Sequence, residues 1–308
     1  MSEPPGAECP LVAYDFWLQF WCVFGYNFGT RRVGSLIVYP NREVFHNAPL
    51  ALVAAEIRFT DAARLRQQQT NDAVTIALEE RFPFAEPLQR AEVNLNLAPG
   101  GGQPQIQERL GVVLKNASST ETLTIMSESL TYETTAYTSF EKLLEAVTEA
   151  CDAMDAAKVR PAVQRVGLRY IDELRVPEQV TDVRQWSTWI NDRLIGHLEV
   201  GPEGVPATGT QSVSTYDLGE GLGLNFRFAA LNQGAIVVPQ FLKRPAIPSG
   251  PFFVLDFDGF HDFTGRDAVP LSAEVVRDSL SIVHVPCGTA FQRSITDEAR
   301  KLFRGTPS

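Results

Sequence analysis

Between residues 165 and 174 the chain reads RVGLRYIDEL, and this stretch constrains the fold more than any other. Val166, Leu168, Tyr170 and Leu174 alternate with Arg165, Gly167, Arg169 and Glu173. A period of two places the first set on one face of a β-strand and the second on the opposite face. One face is therefore apolar, interrupted by Asp172 near its end, and the other is charged or bare. Gly167 weakens the strand but permits close approach of a backbone or a large ring. Pro177 ends the segment, because proline cannot donate to a ladder. The sequence before and after reads as two similar α+β halves meeting at this shared strand.

The first half is expected to open with a strand over residues 50–59 (LALVAAEIRF), buried on both faces at its start. Asn71 is a candidate N-cap for a helix through Arg81, stopped before Pro83. Strands are predicted at 92–97, 109–115, 122–127 and 130–137, as an antiparallel meander. Ser139 then caps a helix whose Phe140, Leu143, Leu144, Val147, Ala150, Cys151 and Met154 form one apolar stripe, which reads as core packing. In the second half a helix is expected over 183–195, with Trp186, Trp189, Ile190 and Leu194 on one side. Strands follow at 212–218, 222–231 and 252–257, and a helical region over 272–303 is expected to kink at Pro286 and Gly288. This order of elements predicts an α+β fold: two similar halves of mainly antiparallel sheet, with helices packed on one face. The expected organisation is an N-terminal extension at 1–38, a first half at 39–176 and a second at 177–308.

A chain of 308 residues suits about two domains or one large one. With 44% hydrophobic and 21% charged residues, neither disorder nor a collagen-like chain is indicated. The net charge of −10 argues against a nucleic-acid partner, since phosphate binding relies on lysine and arginine releasing counterions. Cys9, Cys22, Cys151 and Cys287 are too widely spread for a metal knuckle and read as reduced thiols of a cytoplasmic protein. The apolar run at 11–28 contains Asp15, Gln19 and Asn27 and has no basic segment before it, so neither a membrane span nor an export signal is expected. Its aromatic cluster, Phe16 to Phe28, followed by Arg31-Arg32, suits a partner-binding segment, an extension packed on the core, or a start set too early. The glycine triplet at 100–102 lacks the lysine and hydroxyl residue of a phosphate loop and reads as a solvated loop.

Candidate chemistry is sparse. Asp256, Asp258, His261 and Asp262 in LDFDGFHDF form the densest set of metal-type ligands. Asp256 and Asp258 would share a strand face and His261 would arrive from the following loop, while Gly259 reads as the start of a turn. The bland reading places the acids on a solvated face. His284 precedes Cys287 by three residues, which could suggest an imidazole-activated thiolate or simply packing at a kink. Arg165 and Arg169 share a strand face, and with Tyr170 they are the candidate ligand-binding set: two guanidinium forks could clamp a carboxylate or phosphate, or pair with acids across the sheet.

Ala48-Pro49-Leu50, Glu56-Ile57-Arg58-Phe59, the central RVGLRYID of residues 165–172, and Phe291 with Ser294-Ile295-Thr296-Asp297-Glu298-Ala299 together resemble a sporadically distributed, uncharacterised family of bacterial proteins. The resemblance covers about residues 39–303, leaves the first 38 outside, and implies a fold and boundaries, not a reaction. Its central motif usually ends in asparagine, so Asp172 is a departure.

The leading expectation is a cytoplasmic, non-enzymatic binding or interaction protein whose partner is another protein or a small ligand, with no cofactor. Two other readings stay open: a metal-dependent hydrolase or other enzyme centred on Asp256, Asp258 and His261, and a small-ligand sensor with an apolar pocket between sheet and helices.

Overall fold

A computed structural model describes residues 43–94 and 105–305. The aromatic cluster at 16–28, Arg31-Arg32, Cys9, Cys22, the glycine triplet and residues 95–97 of a predicted strand lie outside the described residues.

The fold is α+β. Among the described residues nine strands, β1 (Leu50–Phe59), β2 (Phe84–Asn94), β3 (Gln105–Lys115), β4 (Glu121–Met126), β5 (Ser129–Thr134), β6 (Val163–Leu174), β7 (Thr210–Gly219), β8 (Leu222–Leu231) and β9 (Phe252–Asp262), form one sheet. Their order is β2-β3-β4-β5-β1-β6-β9-β8-β7, antiparallel at every pairing. The central strand foreseen at 165–174 is β6, hydrogen-bonded to β1 on one side and β9 on the other. The sheet is therefore continuous across residue 176.

The alternation of β6 sorts the two sides of the sheet. Val166, Leu168, Tyr170 and Leu174 face α1 (Gln68–Ala77), α2 (Phe140–Ala156) and α3 (Ala273–Ser294), which share apolar cores with Val53, Ala55 and Ile57 of β1 and Phe253, Leu255 and Phe257 of β9. Ser139 caps α2 by accepting from the Lys142 amide at 3.3 Å, and Ser272 caps α3 by accepting from Val275 at the same distance. Each such cap contributes about 1 kcal/mol by satisfying an otherwise orphaned amide. On the other side the loop at 232–251 lays Ile236, Val237 and Leu242 against Ile171, Ala229 and Val254.

Several expectations need correction. The helix predicted over 183–195 is a chain of short 3-10 turns, Val183–Thr188, Asp192–Leu194 and Gly196–Val200. Asp182 and Asn191 each cap a new turn, and Ile190 bridges to Ile295, so side-chain caps and a tertiary contact win over helical periodicity. The helical region over 272–303 does not break at Pro286. Helix α3 runs through it, and the break falls at residues 295–296, before α4 (Asp297–Arg304), which Thr296 caps. Helix α1 begins before Asn71, which lies inside it. Strand β2 starts at Phe84 and contains Pro87, tolerated because β2 is a sheet edge with a ladder on one side only.

The most consequential correction concerns Gly259. No turn starts there, because β9 continues to Asp262. A Cβ at Gly259 would stand 2.8 Å from Cys287 Sγ and 3.0 Å from the Val283 carbonyl oxygen, so the glycine lets α3 sit directly on the strand. At Gly167, by contrast, a Cβ would meet nothing nearer than 3.8 Å.

Candidate functional site

Extension of β9 decides where the sequence-predicted site residues go. Asp256 and Asp258 lie on the side away from the helices, whereas His261, an odd number of residues further, points to the helical side and hydrogen-bonds Ser279 of α3 at 3.1 Å. Burial lowers the pKa of His261, and Arg266 adds to the effect. Among the described residues no three His, Cys, Asp or Glu side chains converge as a metal-ligand set.

The two aspartates sit in a buried ionic layer. Arg169 holds Asp256 through two bonds of 2.8 and 2.7 Å, and Arg227, opposite Asp256 on β8, approaches to 3.5 Å. Asn225, opposite Asp258, donates to it at 3.1 Å. Arg165 stacks on Phe260 at 4.5 Å and reaches Asp258 at 3.4 Å, running past the bare position of Gly167. Asp256 is 1% exposed, and guanidinium groups from β6 and β8 both reach its carboxyl. Next to this layer Glu173 accepts from the Ile236 and Val237 amides, both at 2.9 Å, and from Arg244, tying the 232–251 loop to the sheet. Arg165 and Arg169 are thus engaged with acids across the sheet, and Tyr170, next to Arg169 in sequence, projects to the opposite side.

Tyr170 leads to a cavity of about 260 Å³ on the helical side. Its floor is Tyr170, Asp172 and Phe257, one wall is His284, Cys287 and Phe291 of α3, and the rim comes from residues 43–50 and 134–138. The Tyr170 hydroxyl and His284 Nδ1 share a hydrogen bond of 2.8 Å, and the His284 imidazole stacks on Phe140, the first residue of α2, at 3.9 Å. This pins the imidazole between two elements. Opposite Asp172 the register of β1 slips between Leu50 and Leu52, so Ala51 is an extra residue in the ladder. Bulges of this kind re-aim side chains next to sites.

Asp172 is 3% exposed, yet it lines the cavity. Burial pushes its carboxyl well above the usual carboxylate range, and the charge of Asp256 beyond the strand adds to the shift; no hydrogen bond from the described residues opposes it. A buried carboxyl with no donor around it costs free energy unless it keeps its proton or finds a partner. The Cys287 thiol, also in the wall, is pushed up by burial and donates to the Leu168 carbonyl oxygen at 3.8 Å. It is a packed thiol held away from the thiolate form, so the spacing to His284 reflects one helix face, not an activated nucleophile.

Sequence reasoning missed Asp172 as a site residue. The signal was present as the one acid on the apolar face of the central strand. What it lacked was the neighbourhood, which comes from α3 and from residues 43–50, distant in the chain. No helix among the described residues is long and apolar enough to cross a membrane. Comparison with protein-family models gives no match, and comparison with curated proteins gives none.

Proposed function

We propose that the chain is a binding protein whose ligand is a small molecule held in the cavity between β1, β5, β6, β9 and α3. Asp172 carries this reading: a carboxyl in the floor of an accessible cavity, unsatisfied by the described protein around it, has its unused hydrogen-bonding capacity directed at whatever enters. The volume of about 260 Å³ suits a compact molecule. Against a hydrolase at residues 256–261 stand the pairing of Asp256 and Asp258 with arginines and the placement of His261 on the other side of the sheet. The test is native purification followed by mass spectrometry of the small molecules released on denaturation. The expected result is one stoichiometric compound, lost from Ala48→Trp, which narrows the exposed rim without touching the core. Equal recovery from the variant would count against this cavity as the site.

A further inference from the structure

The cavity is asymmetric in charge. Two carboxyls line it, Glu43 at the rim and Asp172 in the floor, and no lysine or arginine does among the described residues. Five phenylalanine and tyrosine rings, Phe45, Tyr137, Tyr170, Phe257 and Phe291, share the lining. Phe291 stands edge-on to Phe257, with centroids 6.3 Å apart and planes at 87°, and at 64° to Phe45, so ring faces and edges of several orientations border one space. Aromatic faces carry partial negative charge, and rings grouped beside a carboxylate are an arrangement that recognises organic cations. An anion would find no lysine or arginine among the described lining residues to pair with. A wholly apolar ligand would seal Asp172 away without a partner, which costs about 1–3 kcal/mol. The net charge of −10 also favours approach of a cation.

We propose that the cavity binds a compact organic ammonium cation, with its charged head against Asp172 and its apolar stem against Phe257 and Phe291. This rests on the small-molecule reading above and specifies the ligand's chemical class. Burial favours the protonated carboxyl of Asp172 in the empty cavity and a cation beside it favours the ionised form, so binding is expected to pass protons to solvent while the ligand keeps its own charge. The other titratable groups facing the space are Glu43 and His46 from the rim, Tyr137, Tyr170 of β6, and His284 and Cys287 of α3, with Asp256 beyond the sheet. Glu43 is already held low by its hydrogen bond to Arg304. Subtracting the Asp172→Asn result therefore isolates the proton that comes from Asp172.

The test uses three probes with one ring and different charges: benzyltrimethylammonium, benzyl alcohol and benzoate, titrated calorimetrically into the full chain in two buffers of different ionisation enthalpy. The expected result is that the cation binds at least about tenfold more tightly than either other probe, a difference of ~1.4 kcal/mol. Protons are released to solvent as the cation binds, by the linkage between ionisation and binding. Asp172→Asn, close to isosteric, should lose both the preference and the proton. If benzoate or benzyl alcohol binds as well as the cation, the charge class is wrong while the cavity stands as a small-molecule site. If no probe binds up to about 10 mM, weaker than the weakest affinities of interest, both readings fall. If Asp172→Asn binds the cation unchanged, Asp172 is not the anchor. Should that variant fail to fold, the three-probe comparison on the unaltered protein still decides the ligand class.

Discussion

At the scale of single residues, Asp172 is the most informative position. Burial raises its carboxyl pKa, so the folded state binds the proton more tightly than the unfolded chain. Its contribution to stability is therefore fully present below the unfolded value, about 3.9, and is lost as pH rises toward the folded value, with a slope of up to about 1.4 kcal/mol per pH unit. Asp172→Asn removes that loss. The variant should be more stable than the natural protein at about pH 7, and the gap should close as pH falls to about 4, measured by urea unfolding across that range. A natural protein that gains on the variant with rising pH would mean that the carboxyl is not held protonated. A protonated carboxyl offers one donor side and one acceptor, as a carboxamide does. The ionic layer behaves differently. Removing Arg169 leaves Asp256 buried with only the longer contact to Arg227, so Arg169→Met should cost ~3–5 kcal/mol, and adding Asp256→Leu should recover much of it. Urea unfolding of the single and double variants checks this. Equal losses in both would point to packing rather than uncompensated charge.

At the scale of elements, the contact between α3 and β9 sets the geometry of the cavity. Gly259 permits it, and Gly259→Ala must push against Cys287 Sγ and the Val283 carbonyl. The expected cost is ~1–3 kcal/mol from overpacking. Adding Cys287→Ala should recover only part of it, because the backbone oxygen of Val283 remains 3.0 Å from the new Cβ. Full recovery would mean that the sulfur alone limits the approach. Element identity was largely legible in the sequence where periodicity and caps agree. Residues 50–59 alternate and run unbroken and form β1 with those bounds, and Ser139 followed by the stripe from Phe140 to Met154 forms α2. It failed where a local signal had two physical meanings. Gly259 has the composition of a turn residue but serves as a close-approach residue in a strand, and Trp186, Trp189 and Ile190 have helical spacing but pack from a short 3-10 turn, its C-cap and an isolated bridge to Ile295. Neither ambiguity resolves without knowing what lies above the residue.

At the scale of the whole molecule, β6 joins the two parts of the chain through hydrogen-bonded ladders on both edges, and its helical side contributes to both of the larger apolar cores. Unfolding residues 177–308 alone would expose the β9 edge of β6 and the Leu174 core while leaving Arg169 without Asp256. Thermal unfolding should therefore show one transition by both circular dichroism and the fluorescence of Trp186 and Trp189, read in a chain with Trp17 and Trp21 replaced by Phe, although both reporters lie in the second part. Two separated transitions would mean that the halves are independent. By itself the sequence determined the central strand, its two chemically distinct faces, the Ser139 cap and the α+β class, because alternation, stripe spacing and capping are interactions among residues a few positions apart. Only the tertiary structure decided the site. It extended β9 past Gly259 and so sent His261 away from Asp256 and Asp258, it matched Arg169 to Asp256, and it gathered residues 43–50, Tyr170 and α3 around Asp172. Those outcomes depend on register and helix docking between segments far apart in the chain, and a single buried acid acquires its chemistry from neighbours that local spacing does not reveal.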